Sequence, residues 1–161
     1  MLFRSGLVPA IFGALTEFNK KTNKTFDLHP NTKLVTFGGW TLPNGQMISS
    51  PHFRSAIGRI LNISEQNIRD MYGFTETDSV FAECEHHRMH VPPWVEVIVR
   101  DVETLKPKKI GEKGIFQIIN PMPFSYAGVS ILQDDVIRIL PEDQCPCGRH
   151  GKTIEVFGPA M

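Results

Sequence analysis

Five consecutive residues, Tyr72-Gly73-Phe74-Thr75-Glu76 in the run DMYGFTETDS, bring an aromatic ring, a glycine, a hydroxyl and a carboxylate together. These are the groups needed to hold adenine, a phosphate and a magnesium ion side by side. The Tyr72 ring offers a face for stacking a base. Gly73 lets the backbone pass close to a ligand. The Thr75 hydroxyl can donate to a phosphate oxygen, and Glu76 offers magnesium a hard oxygen ligand. Turns often contain the same residue types, so the reading depends on what surrounds the motif.

A second chemical constellation holds every cysteine in the protein. Cys84-Glu85-His86-His87-Arg88-Met89-His90 supplies one thiol and three imidazoles, and Cys145-Pro146-Cys147 supplies two more thiols. Three thiolates and one imidazole complete a tetrahedral structural zinc site. Spacing alone does not choose among the histidines, because His87 is as reachable from Cys84 as His90 is. The Cys-x-Cys spacing is one residue shorter than a common zinc knuckle. Three reduced, partly buried cysteines are the plain alternative, and a catalytic thiol is another. A Cys145–Cys147 disulfide would close a very tight loop. With four protein ligands no position remains for water, so zinc here would fasten loops and not catalyse.

The flanking sequence must position these groups. Leu7, Val8, Ile11, Phe12, Leu15 and Phe18 fall at helical spacing. Asn31 to Phe37 reads as a short buried strand ending in Gly38-Gly39, where a ligand or another backbone can approach closely. Ser50-Pro51 reads as an N-cap and first helical residue, with Phe53, Ile57, Ile60 and Leu61 as the apolar face. Ser64 is expected to cap a further helix, stapled by Ile63 and Ile68, that leads into Met71 and Tyr72.

The character changes after Pro92-Pro93. Val95, Val97 and Val99 alternate with polar or outward positions, as in a strand with one buried face. Gly111 to Gly114 reads as a turn. Ile115–Ile119, Val136–Leu140 and Ile154–Phe157 read as further strands. The organisation is an α/β segment over residues 1–91, carrying the Tyr72 motif, and a β-rich subdomain over 92–161.

The 161 residues suffice for a domain with its own core. A hydrophobic share of 41% and a charged share of 21% are ordinary for a globular protein. Seventeen basic residues balance seventeen acidic ones, which argues against nucleic acid or an anionic membrane as partner. No apolar stretch is long enough for a membrane span, and the N-terminus carries no signal-peptide pattern. A cytoplasmic setting is the expectation, and three cysteines do not make a closed disulfide framework.

The motifs VTFGGW, MYGFTE, HVPPWVEVIVRDVETLKPKKIGEKG, FSYAGVSILQDDV and CPCGRHGK occur in the order seen in the LuxE-type acyl-protein synthetases. The chain resembles that family from about Lys33 to Gly158. Within the adenylate-forming superfamily these enzymes are close to the phenylacetate–CoA ligases. Gly-Gly-Trp followed by Pro-Pro-Trp favours the LuxE branch. The resemblance implies an α/β fragment of an adenylate-forming main domain. It implies ATP and magnesium as cofactors, a fatty acid as substrate and a protein thiol as acceptor, with an acyl reductase as possible partner.

By the same resemblance Gly38, Gly39, Tyr72 and Gly73 line the nucleotide site, and Thr75 and Glu76 serve catalysis, Glu76 through magnesium. The segment Leu132-Gln133-Asp134-Asp135-Val136 resembles the place of the ribose-binding aspartate, with Asp135 the closer match. Phenylacetate-ligase-like relatives carry a Cys and His pattern matching Cys84 and His90, so the resemblance selects His90 with Cys84, Cys145 and Cys147 for zinc.

Departures from the family pattern shape a further expectation. No Ser/Thr/Gly-rich phosphate loop occurs among these residues, and Phe157-Gly158-Pro159 stands where the family continues through a Gly-Arg hinge into a lid. The expected reading is the C-terminal part of a larger synthetase's main domain, or a truncated paralogue, catalytically incomplete alone. The alternatives are a phenylacetate–CoA ligase-like fragment and a zinc-stabilised, non-catalytic protein-binding module.

Overall fold

A computed structural model describes residues 7–38, 48–124, 129–141 and 145–160. The chain divides into two compact units, Met1–Met71 and Tyr72–Met161, ahead of the composition change after Pro92-Pro93.

In the first unit, α1 (Leu7–Thr22) and α2 (Ser50–Leu61) cover a parallel pair of strands, β1 (Leu34–Phe37) and β2 (Ile68–Tyr72), the latter ending on the first residue of the second unit. Leu34 lies opposite Ile68, and Phe37 opposite Met71. The core gathers Val8, Ile48, Phe53, Ile57, Ile60, Ile63 and Ile68, with Phe12 and Leu15 packed on it. Helix α2 ends where Asn62 turns left-handed at φ 53°, a conformation asparagine tolerates, and the Ile63 N–H donates to Gly58 O at 3.0 Å.

Three local expectations change. The N-cap of α2 is Ser49 and not Ser50, so Pro51 sits one position deeper, still within the first turn, where its missing N–H costs nothing. Strand β1 is not buried throughout: Val35 is 49% and Phe37 51% exposed, and only Thr36 is enclosed. The helix expected after Ser64 is a single 3-10 turn, Glu65–Asn67, capped by Ser64, whose hydroxyl accepts from the Gln66 N–H. From Ile68 the chain is strand, because pairing with Leu34–Phe37 outweighs the weak helical signal of a five-residue stretch.

The second unit is built on an antiparallel sheet in the order β3-β4-β8-β7-β6-β5. The strands are β3 (Phe81–Glu83), β4 (Met89–His90), β5 (Glu96–Arg100), β6 (Lys113–Ile119), β7 (Ser130–Leu140) and β8 (Thr153–Pro159). Val97 and Val99 are buried on β5, as the alternation requires. Phe81, Phe116, Ile118, Ile137 and Ile154 complete the centre of the core. Lys113 and Gly114 belong to β6 and not to the preceding turn. There is no room for a side chain at 114, since a Cβ would lie 2.2 Å from Arg100 O on β5.

Strand β7 is longer than the sequence suggests and carries an irregularity. Ile115 faces Val136, but the next residue, Phe116, faces Gln133. Asp134 and Asp135 therefore have no partner on β6, and β7 bulges there. They are strand residues, not a turn leading into one.

Candidate nucleotide site and candidate metal centre

The bulge in β7 determines where Asp135 points. A bulge re-aims side chains and adds local twist. Here it accompanies a close contact: the Tyr72 hydroxyl donates to Asp135 Oδ2 at 2.5 Å. Tyr72 sits at the end of β2, and its ring packs among Phe74, Phe81 and Phe116 at centroid distances of 6.3, 6.1 and 6.1 Å. Burial, then the hydrogen bond and the charges of Asp135 and Asp134, push the Tyr72 hydroxyl well above its ordinary value of 10.0. It remains a donor at every physiological pH.

Beyond Phe74 the chain makes a 3-10 turn over Thr75–Thr77. Thr75 and Glu76 are exposed on it, whereas Thr77 is fully buried and anchors it. Two groups singled out by their chemistry thus reach solvent, a few residues from the Tyr72–Asp135 contact. Gly38 belongs to the first unit and adopts φ 107°, a left-handed conformation natural to glycine. Gly39 and Trp40 lie outside the described residues.

The cysteine cluster assembles around β4. Cys84 follows β3 in a turn closed by Cys84 N–H to Arg88 O at 2.9 Å and His87 N–H to Cys84 O at 3.0 Å. His90 is on β4, paired with Thr153 of β8. Cys145 and Cys147 lie in the turn before β8, where Gly148 takes φ 74°. The separations are 3.5 Å for Cys84 Sγ to Cys145 Sγ, 3.2 Å for Cys145 Sγ to Cys147 Sγ, and 3.4 Å for Cys147 Sγ to His90 Nε2. All four ligand atoms lie within 4.8 Å of one another.

A tetrahedral ion with sulfur bonds of about 2.3 Å sets its ligands roughly 3.7 Å apart, so the cluster has the size of a metal site. Sulfurs in a disulfide would be about 2.05 Å apart, and these are not. Backbone N–H groups of His86 and Arg149 donate to Cys84 Sγ and Cys147 Sγ at 3.4 and 3.5 Å. Such donors favour thiolates, as they do around bound metals. His87 is turned to Glu83 instead, at 3.4 Å, and His86 is exposed. Burial and the Arg149 charge hold the His90 imidazole below its usual range, which keeps it neutral. Burial pushes the Cys145 thiol up to about 11.

One residue of the site region carried no sequence signal. Asn120, fully buried after β6, donates its side-chain amide to Thr77 O and to Ser79 Oγ. Only the proline that follows it marks the end of a strand.

The chain has the fold of part of an adenylate-forming ligase domain. The chain matches a long-chain-fatty-acid–CoA ligase from Archaeoglobus fulgidus with a TM-score of 0.64 at 16% identity, over 95% of this chain and 33% of that one. The family model for acyl-protein synthetase, LuxE, matches residues 8–161, and the chain belongs to that family. It is 29% identical to the long-chain-fatty-acid–luciferin-component ligases of Aliivibrio fischeri and Vibrio harveyi, over 88% and 86% of its own length. It spans 37% and 36% of the length of those relatives. No helix among the described residues is long and apolar enough to cross a membrane.

Proposed function

We propose that this chain is part of an ATP-dependent acyl-activating enzyme that forms a fatty acyl-adenylate and passes the acyl group to a protein thiol. The observation that carries the reading is the contact of Tyr72 with Asp135, 63 residues apart, beside the exposed Thr75 and Glu76. Family membership and the names of the curated relatives support the substrate class.

A carboxylate is a poor acyl donor because its charge repels nucleophiles and oxide leaves badly. In the proposed reaction a carboxylate oxygen attacks the α-phosphorus of ATP, the bond to the β-phosphate breaks, and pyrophosphate leaves. A thiolate then attacks the acyl carbonyl, and AMP departs with the bonding electrons. The enzyme's task is orientation and charge stabilisation. Asp135 accepts from the ribose hydroxyls through its carboxylate, which the Tyr72 hydroxyl holds in place. The Tyr72 ring and Gly73 border the adenine, and Gly38 and Gly39 are the further nucleotide-binding residues that the family resemblance implies. Thr75 donates to the α-phosphate, and Glu76 is the magnesium ligand. Magnesium, when bound, neutralises phosphate charge.

Cys84, His90, Cys145 and Cys147 are a structural zinc site. The fit of three sulfurs, one imidazole nitrogen and two amide donors to sulfur supports it. Zinc there would tie the turn after β3 to the turn before β8.

The test is ATP–pyrophosphate exchange by the full-length protein across a panel of fatty acids. Exchange that requires the fatty acid, and is lost in Glu76→Ala with the fold intact, is the expected result. Exchange absent with every acid tried, or unaffected by Glu76→Ala, overturns the reading. Acceptor arms with a partner protein and with coenzyme A distinguish protein-thiol transfer from thioester formation on a small thiol.

A further inference from the structure

We infer that Asn120 is a positioning residue for the Thr75–Glu76 turn. It fixes, from the segment just after β6, the backbone on which the phosphate- and magnesium-facing side chains are mounted. The inference rests on the nucleotide-site reading above.

The geometry begins with burial. Asn120 and Thr77 are both 0% exposed, and Ser79 is 7% exposed. Buried polar groups are kept only where their hydrogen bonds are made. Asn120 makes them on both ends of its amide. Its Nδ2 donates to Thr77 O and, at 2.9 Å, to Ser79 Oγ, while its Oδ1 accepts from the Met122 N–H at 3.1 Å. The orientation of the amide follows from its partners, since a carbonyl can only accept and a backbone N–H can only donate. The Asn120 N–H also donates to Val129 O at 2.8 Å.

Thr77 closes the knot from its own side. Its hydroxyl donates to Ser79 O at 3.0 Å and accepts from the Ser79 N–H, also at 3.0 Å. Its N–H donates to Phe74 O at 3.1 Å. Asp78 between them takes a left-handed φ of 49°. The turn from Phe74 to Ser79 is therefore held on its inner side by Asn120 and leaves Thr75 and Glu76 facing outward. Glu76 is one residue from the carbonyl that Asn120 grips. A flexible turn would let the Glu76 carboxylate wander, and outer-shell partners that orient metal ligands carry roughly 10- to 100-fold in affinity or activity.

Two variants of the full-length protein separate positioning from mere stability. Asn120→Asp keeps the shape but loses the donor to Thr77 O. Ser79→Ala leaves that contact and removes only the second acceptor, a milder change that guards against misfolding of the first. The readouts are manganese binding in the presence of ATP without fatty acid, by electron paramagnetic resonance, then the magnesium dependence of adenylation and the melting temperature. Each folded variant should bind manganese more weakly, Asn120→Asp by about tenfold or more and Ser79→Ala by less. The fatty-acid KM should be unchanged in both. A folded Asn120→Asp, or a folded Ser79→Ala where the first does not fold, that binds manganese as the unsubstituted protein does overturns the inference. An unsubstituted protein that binds no manganese with ATP would instead overturn the nucleotide-site reading.

Discussion

The Tyr72 hydroxyl, at the start of the second unit, donates to Asp135 Oδ2 at 2.5 Å, at the bulge of β7. An ionised carboxylate is an acceptor only, so the phenol must keep its proton for the contact to exist. Replacing Tyr72 by Phe keeps the packing against Phe81 and Phe116 and removes the donor. The expected result is a KM for ATP raised about tenfold, in keeping with loss of one hydrogen bond to a charged group at roughly 1.5–3 kcal/mol, with the fatty-acid KM unchanged. Steady-state kinetics on the full-length protein checks it, and an unaltered ATP KM would remove Asp135 from the ribose site.

The same contact makes the fold sensitive to alkali. The folded pKa of Tyr72 is raised by burial and by Asp135. Stability from this group is complete below pH 10, the unfolded value, and is lost as pH rises above it, because only the unfolded chain then ionises. Of the two tyrosines in the chain, Tyr72 should stay silent at 295 nm until unfolding. Tyr72→Phe should flatten the fall in melting temperature above pH 10. A Tyr72 that ionises freely near pH 10 in the folded protein would contradict the buried hydrogen bond.

Gly114 on β6 is fixed by space alone. An added Cβ meets Arg100 O at 2.2 Å and Val99 Cγ1 at 2.8 Å, both on β5. Backbone cannot rotate away as a side chain can, so Gly114→Ala should cost about 1–3 kcal/mol or more. Thermal unfolding should show the loss, and an unchanged melting temperature would mean that β5 and β6 are not paired in this register.

Much of the fold was legible in the residues, and the failures have physical causes. The alternation of Val95, Val97 and Val99 marked a strand with one buried face, and β5 is one, beginning just after Val95. The helical spacing from Leu7 to Phe18 marked α1. The segment after Ser64 misled, because a capping serine and two isoleucines look alike before a helix and before a 3-10 turn leading into a strand. The bulge at Asp134 and Asp135 left no mark in composition, since it arises from the register of β7 against β6. Asn120 was invisible for a related reason: its partners lie 41 and 43 residues away, at Ser79 and Thr77. The histidine choice was not decidable by spacing. In the structure His90 faces Cys147, while His87 faces Glu83.

That difference among the histidines gives a metal prediction. Chelation should lower the melting temperature by roughly 10 °C or more, given about 4–8 °C per kcal/mol for a unit of this size. Cys145→Ser and Cys147→Ser should do the same, and His86→Ala should do little. Metal binding must displace thiol protons, and Cys145 holds its proton up to about 11 in the metal-free site, so metal affinity should fall as pH falls. Elemental analysis of protein purified without chelator should find about one zinc per chain. A metal-free protein of equal stability would refute the site.

The most direct test of acyl activation follows an oxygen atom. The full-length protein is incubated with ATP, magnesium, a thiol acceptor and a fatty acid labelled with oxygen-18 in both carboxylate positions. Attack of the carboxylate on the α-phosphorus, followed by thiol attack at the acyl carbon, leaves one labelled oxygen on AMP. Mass spectrometry should find AMP carrying one oxygen-18 for each acyl group transferred. Unlabelled AMP, or ADP in its place, would contradict an acyl-adenylate intermediate.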